Sequence, residues 1–391
     1  MKVAFVPAFY GAHAAGGAEA ECRHTALHLA RRGVNVDVLT TCLLDLQHDW
    51  NIDAYPAGDS RDEQITVRRF RTEKVDRLAF DRLNEKLMQN RGVSPDEAQQ
   101  FAALHINSPD LLRHLGAHAA DYDWLCFIPY LFGTAIHGSR IAPSRSILIP
   151  CLHDEGYARI EPVREMFHRV ARVVFHTEAE KRLADRLYGS TGSRGMVIGE
   201  GVATNLIADA ARFRNKYQIS DPFVLYCGRK DQTKNTPELV DYFIQYKRTQ
   251  HGALKLVMIG PGSVNLPGRD DGSIIDLGFV PAQDKLDAYA ACSVFCQPSK
   301  NESFSLVLME AWDIGRPALV HEHCEVTRDH VVAAGGGLYY RDAGDFAAAL
   351  HYLISHPEQT VAMGKSAQLY VRAHYAWERI MDRYLNEVFA T

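Results

Sequence analysis

Several common functional signals are scarce or missing here, and each gap narrows the field. There is no cationic surplus: 43 Lys and Arg against 48 Asp and Glu leave a net charge of −5 over 391 residues, so no nucleic-acid partner is expected. No apolar run approaches the roughly 18–20 residues needed to span a bilayer. The opening stretch, residues 1–7, reads as a short strand rather than a signal peptide. The eight cysteines include no Cys-x-x-Cys pair, and several, such as Cys126, sit inside apolar runs. That pattern predicts buried thiols in a reducing cytosol, not a disulfide framework. Repeats and low-complexity tracts are missing too. What remains is an ordinary globular composition, 47% hydrophobic and 23% charged, in a chain too long for one core. Two domains of just under about 200 residues each are expected.

Alternation of apolar strands with amphipathic helices organises the chain. Residues 3–6 read as a buried strand, followed by a loop through Gly11, His13, Gly16 and Gly17, a helix from about 18 to 32 stopped by Gly33, and a strand at 34–40. This is a βαβ opening, so a parallel sheet is expected. Residues 45–110 look less regular, and the Arg- and Lys-rich stretch 68–91 reads mostly as a solvated helix rather than a membrane-docking face. Further strands are expected at 124–128, 146–149 and 172–176, and Thr177-Glu178-Ala179-Glu180 then opens a helix as a capping box. The Gly-rich segment 189–201 is the candidate linker. Alternation restarts with strands at 223–227, 255–259, 274–277, 294–297 and 317–321, and a helix opens at Thr236-Pro237-Glu238. Two β/α halves of this kind predict an α/β protein with two doubly wound, Rossmann-like domains facing a cleft. Ligands in such sheets bind outside the carboxyl ends of the strands.

The most informative segment runs from Asn301 to Glu310, a loop leading straight into an apolar helix. Glu302 is expected before the first turn and Glu310 about two turns along, with backbone N–H groups at the helix start turned toward an anion. A phosphate-bearing ligand with hydroxyls at both ends, such as a nucleotide sugar, suits that arrangement. The competing reading is an N-cap acid plus an exposed helical acid. The loop Gly228 to Asn235 directly follows a strand, which is where a doubly wound domain places its ligand loop. Arg229 can grip phosphate oxygens through two parallel hydrogen bonds and Lys234 adds a mobile charge, against the alternative of ordinary surface cations.

With these residues in view, the chain resembles the family 4 retaining glycosyltransferases of GT-B fold. The shared pattern comprises Gly16-Gly17-Ala18-Glu19, His153-Asp154, Gly228-Arg229 with Lys234, Gly260-Pro261-Gly262, Gly278-Phe279-Val280, and Glu302 to Glu310. It covers nearly the whole chain, most firmly the C-terminal half and least well about 42–120. The resemblance implies that Arg229 and Lys234 hold the donor diphosphate. Glu302 would bind donor-sugar hydroxyls, with the backbone around Phe304, Ser305 and Leu306 contacting sugar and phosphate. Glu310 would chelate the ribose. The main chain at Gly278 to Val280 would frame the base, with Gly262 also on the donor side. Gly16 and Gly17 would let the first loop approach the phosphates, and His153 would face the donor sugar near the reacting bond. A satisfied structural histidine is the alternative for His153, and Asp154 could merely orient a neighbour. Ser305 departs from the glycine common in the family; its backbone N–H is kept, which leaves room for a shifted sugar preference.

The expected domains are 1–198 on the acceptor side, 199–374 for donor binding, and a terminal helix at 375–391 packing back on the N-terminal domain. The implied reaction moves a hexose from a UDP- or GDP-sugar to a hydroxyl of a glycan or lipid-linked acceptor, with retention. Because Arg229 and Lys234 would take the part a metal plays elsewhere, no metal or other cofactor is expected. A cytoplasmic location follows, with peripheral contact at the inner membrane face if the acceptor is lipid-linked. A catalytically silent nucleotide-sugar binder and a nucleotide-sugar epimerase are the rival readings. A nicotinamide oxidoreductase lacks support because no G-x-G-x-x-G turn follows Val6 or Cys227. Two metal-like motifs are read as decoys: Asp121-Tyr122-Asp123 as a turn before a strand, and His321-Glu322-His323-Cys324 as a loop beside the donor site.

Overall fold

The computed structural model describes residues 1–12, 16–250, 252–263 and 272–390, so His13 of the first loop falls outside the described residues. The chain divides into two compact units, Met1–Gly201 with Trp377–Thr391, and Val202–Ala376.

Among the described residues unit 1 is built on eight strands: β1 (Lys2–Val6), β2 (Asn35–Thr41), β3 (Gly58–Asp62), β4 (Ile65–Phe70), β5 (Trp124–Phe127), β6 (Ser146–Leu148), β7 (Arg172–Phe175) and β8 (Gly195–Val197). Their order is β3-β4-β2-β1-β5-β6-β7-β8, parallel throughout except for the β3–β4 hairpin. The central strands are continuous apolar runs because both faces are covered; Val3, Ala4, Phe5 and Val6 have no exposed surface.

Three readings of this half need correction. The stretch 45–110 is regular, containing the β3–β4 hairpin and the helices Arg77–Met88, Pro95–Leu104 and Pro109–His118. The basic run 68–91 is not one solvated helix, because Arg68 and Arg69 belong to β4. There Arg69 is buried, donating to Thr41 O at 3.1 Å and Tyr10 O at 2.7 Å. Only after the Asp76 cap, which accepts from Ala79 N, does the helix start. The segment 189–201 is no free linker, since it carries β8 at the sheet edge, and the chain passes to the second unit at Val202.

The terminal helix Trp377–Arg383 runs into a wider turn, Tyr384–Val388, inside unit 1. Trp377 stacks on His28 with ring centroids 4.2 Å apart and lies against Gly201, where a Cβ would come within 2.1 Å of the ring. Any side chain at 201 would push the indole off. The Asp121-Tyr122-Asp123 motif is occupied structurally: Asp123 accepts from Lys2 N at 2.7 Å, Asp121 Oδ2 lies 3.0 Å from His118 Nδ1, and Tyr122 donates to Asp37 at 2.9 Å.

Among the described residues unit 2 holds six parallel strands, β9 (Phe223–Cys227), β10 (Lys255–Ile259), β11 (Ile274–Gly278), β12 (Val294–Gln297), β13 (Ala318–His321) and β14 (Gly337–Tyr340), in the order β11-β10-β9-β12-β13-β14. Strand order reverses between β9 and β12. That switch point opens a crevice beyond the carboxyl ends of the two strands, which is where this architecture binds ligands. The loops leaving β9 and β12 carry Arg229, Lys234 and Glu302. Among the described residues no helix is long and apolar enough to cross a membrane.

Candidate active site

β9 ends at Cys227, and the following turn is anchored before it reaches the crevice. Tyr226 donates to the carbonyl of Arg229 at 2.5 Å, and Lys230 N donates to Pro261 O at 2.9 Å. Lys230 turns inward: its buried ammonium pairs with Asp276, whose carboxylate also accepts from Gly278 N at 2.9 Å. A Cβ at Gly262 would stand 2.7 Å from Lys230 O, and its φ is +90°, so the close approach of these loops requires glycine there. The Arg229 guanidinium is left about half exposed, its Nη1 3.7 Å from Asp231 Oδ2.

Across the switch point, Lys234 Nζ donates to Glu302 Oε1 at 2.7 Å. Gln297, the last residue of β12, donates to the same oxygen at 3.3 Å and to Ser305 Oγ at 3.1 Å. The helix Leu306–Asp313 begins immediately after, with Ser305 as its N-cap in the left-handed region (φ 79°, ψ 73°) and no side-chain cap bond. The first N–H groups of such a helix lack intrahelical acceptors and favour an anion. Glu302, Lys234, Gln297 and Ser305 thus meet at one helix start. Phe304 is buried, edge-on to Tyr375 at 5.0 Å, so only its backbone can serve a ligand; Val280 is likewise a core side chain.

Glu310 is the fifth residue of this helix, one turn in rather than two. Both its oxygens accept from Lys285 Nζ, at 2.8 and 2.7 Å, and Tyr289 donates to Oε2 at 3.0 Å. Burial first, then Cys227 and Glu310 nearby, holds the Tyr289 hydroxyl far above its usual range, so it remains a donor. Phe279, after β11, is 84% exposed, an unusual surface for an aromatic ring.

In unit 1, Gly16 caps the helix Gly17–Arg31, and a Cβ at Gly17 would meet nothing within 4 Å. Burial lifts the Glu19 carboxyl to about 7. His153 follows β6 with about a third of its side chain exposed and Nδ1 4.0 Å from Glu155 Oε1; Asp154 pairs with Arg159 at 2.5 Å. His321, which ends β13, is committed to the fold. Its Nδ1 accepts from His323 N at 3.1 Å, its Nε2 lies 3.1 Å from Glu238 Oε1, and burial lowers it to about 4.

Sequence reasoning missed Lys230, Lys285, Tyr289 and Gln297. Only Gln297 carried a signal, a polar residue closing an otherwise apolar strand. The others act through partners distant in sequence.

Two Rossmann-like units built on largely parallel sheets define a protein of GT-B fold. Residues 221–356 match the family model described as glycosyl transferases group 1. A D-inositol 3-phosphate glycosyltransferase of Gordonia bronchialis is 24% identical over 59% of this chain, which spans about half (55%) of that relative's length. The homologue from Saccharomonospora viridis is 24% identical over 96% of this chain and 89% of its own, and the trehalose synthase of Rubrobacter xylanophilus 26% over 94% and 86%. Among solved structures, sucrose-phosphate synthase from Thermosynechococcus elongatus superposes with a TM-score of 0.72 at 17% identity, covering 99% of this chain and 98% of that one. Anabaena HepE in complex with UDP-glucose gives 0.67 at 16% identity, covering 99% of both. At such identities the structural likeness speaks to fold alone. The match to the group 1 glycosyltransferases covers residues 221–356, and the fold of the chain is that of GT-B structures.

Proposed function

We propose that the protein transfers a hexose from a nucleotide diphosphate sugar, with UDP-glucose as the first donor to test, to a hydroxyl of a saccharide or lipid-linked acceptor, with retention at the anomeric carbon. The observation that carries this reading is the Lys234–Glu302 pair, tied by Gln297 and Ser305 to a helix N-terminus at the switch point of unit 2. Lys234 and Arg229 neutralise the charge that grows on the departing diphosphate, and each is worth about 3–4 kcal/mol of barrier in comparable electrostatic sites. Glu302 takes sugar hydroxyls once Lys234 turns to phosphate. Glu310, held by Lys285 and Tyr289, takes the ribose, and Phe279 offers a face to the base.

Attack comes from the same face as departure, and the leaving phosphate oxygen receives the acceptor proton. His153 is assigned to the donor sugar. Two cations in place of a metal make the reaction independent of a divalent ion, so a chelator leaves the rate unchanged.

A thermal-shift panel of UDP-, GDP- and ADP-sugars tests the donor. The matching one stabilises the fold by roughly 2.7 kcal/mol at a hundredfold excess over its dissociation constant. Transfer near the wild-type rate in the Arg229→Ala, Lys234→Ala double variant would refute the assignment.

A further inference from the structure

Beneath the loop that carries His153, unit 1 buries a charge cluster that no step of the proposed reaction uses. His176, the residue after β7, has no exposed side-chain surface. Its Nε2 lies 2.6 Å from Glu21 Oε1, on the helix Gly17–Arg31, and its Nδ1 lies 3.5 Å from Glu180 Oε2. Glu180 closes the arrangement: Oε2 accepts from His176 N at 2.6 Å and Oε1 accepts from Leu152 N at 2.7 Å. The neighbouring Cys151 stands at φ +53° and directs its thiol to Glu21 Oε2 at 3.5 Å. Glu200 and the Tyr384 hydroxyl face the same space.

A metal centre is the first alternative, since one ligand-type atom each from Glu21, Cys151 and His176 lie within 4.8 Å of one another. The 2.6 Å between His176 Nε2 and Glu21 Oε1 argues against it. Two ligands sharing a tetrahedral zinc at about 2.0–2.1 Å stand roughly 3.3 Å apart, whereas 2.6 Å is a charge-assisted hydrogen bond. With a carboxylate at each ring nitrogen, the imidazole keeps both protons. Burial alone would lower its pKa, but Glu21, Glu180 and Glu200 raise it to about 10.

The cluster meets the site loop at the Cys151 thiol, through Glu21, and at the Leu152 amide, through Glu180. Glu180 is anchored in the first turn of the helix Glu178–Tyr188, where Thr177 Oγ accepts from Glu180 N at 3.1 Å. From there its carboxylate reaches back to the loop residue that precedes His153.

We infer that Glu180 is a positioning residue for His153: braced by the His176 imidazolium and Glu21, it takes the Leu152 amide and so sets the direction in which the next side chain leaves the loop after β6. The inference rests on the assignment of His153 to the donor sugar. A displacement of about 1 Å in a group that positions substrate can cost on the order of a hundredfold in rate.

The test is a double-mutant cycle read by UDP release from UDP-glucose. Glu180→Gln keeps an oxygen for one amide and removes the charge; it is expected to lower kcat about ten- to a hundredfold while KM for UDP-glucose moves less than about twofold. His153→Ala is expected to lose at least as much, and the double variant no more than His153→Ala alone, because a brace has nothing left to position. Independent, multiplying losses, or a normal Glu180→Gln beside an impaired His153→Ala, overturn the brace and leave the His153 assignment standing. Full activity in His153→Ala overturns both. If the wild type releases no UDP, or Glu180→Gln does not fold, hydrogen exchange of the wild-type protein decides. Strong protection of the Leu152 amide above that of Asp154 supports the brace, and equal exchange of the two overturns it.

Discussion

In unit 1 the carboxylates of Glu21 and Glu180 enclose an imidazole with no exposed side-chain surface, whereas in unit 2 the pairs Lys234–Glu302 and Lys285–Glu310 keep between 10% and 29% of each side chain exposed at the strand ends. Both arrangements are ion pairs with short hydrogen bonds, yet they do different work. The buried cluster cannot exchange its partners for a ligand. Its charges hold one another, and through the Leu152 amide they stiffen a loop. The partly exposed pairs reach water and can open toward a ligand. In the proposed reaction a diphosphate draws Lys234 away, and sugar hydroxyls then occupy Glu302. One set of charges forms a frame and the other a receptor.

The largest expected effect separates these roles. Removing both Arg229 and Lys234 should slow transfer by at least roughly a thousandfold while shifting stability by less than about 1 kcal/mol. A large fall in melting temperature would erase the distinction. Glu21→Ala should behave in the opposite sense. It leaves a buried cation uncompensated and is expected to cost about 3–5 kcal/mol in urea unfolding; a loss below about 1 kcal/mol would mean that the imidazole is neutral.

A third prediction sharpens the contrast by pH. His176 holds its proton up to about 10 in the folded chain but releases it near 6.5 when unfolded. Its contribution is therefore fully present below 6.5 and lost as pH rises from 6.5 to 10. His330 in unit 2, held down to about 4 by burial, acts the other way: the unfolded chain takes the proton first, so stability is lost as pH falls from 6.5 toward 4. Urea midpoints measured from acid to alkaline pH should show both limbs, and His176→Gln should flatten only the alkaline one. The smallest effect concerns Ser305. At φ 79° a Cβ is strained, so Ser305→Gly should be more stable than Ser305→Ala by about 1 kcal/mol in the same assay.

Much of the fold could be read from the chain because strands buried on both faces must be apolar runs. β1, β2, β5, β7, β9, β10, β12 and β13 all lay within a residue or two of their expected positions. The failures share a physical cause as well. β3 is Gly-Asp-Ser-Arg-Asp, a polar edge strand whose pairing to β4 supplies the order that its composition does not. Arg69 looked like surface charge, and its burial depends on the carbonyls of Thr41 and Tyr10. At the candidate site, Glu302, Glu310, Arg229 and Lys234 stood out because loop, strand end and helix start are local features. Lys285 did not, since its partner lies 25 residues away. Glu180 was read as half of a capping box; Thr177 does cap its N–H, but its carboxylate serves His176 and Leu152.

By itself the sequence determined the alternation of elements, the division into two halves and the loops on which charged residues would stand. Those properties follow from periodicity and turn chemistry within a few residues. Tertiary structure alone decided which charge meets which. Glu21 and His176 are separated by 155 positions along the chain, and Lys234 and Glu302 by 68. Coulombic and hydrogen-bond energies depend on distance and desolvation, and neither exists until the sheets have stacked their strands.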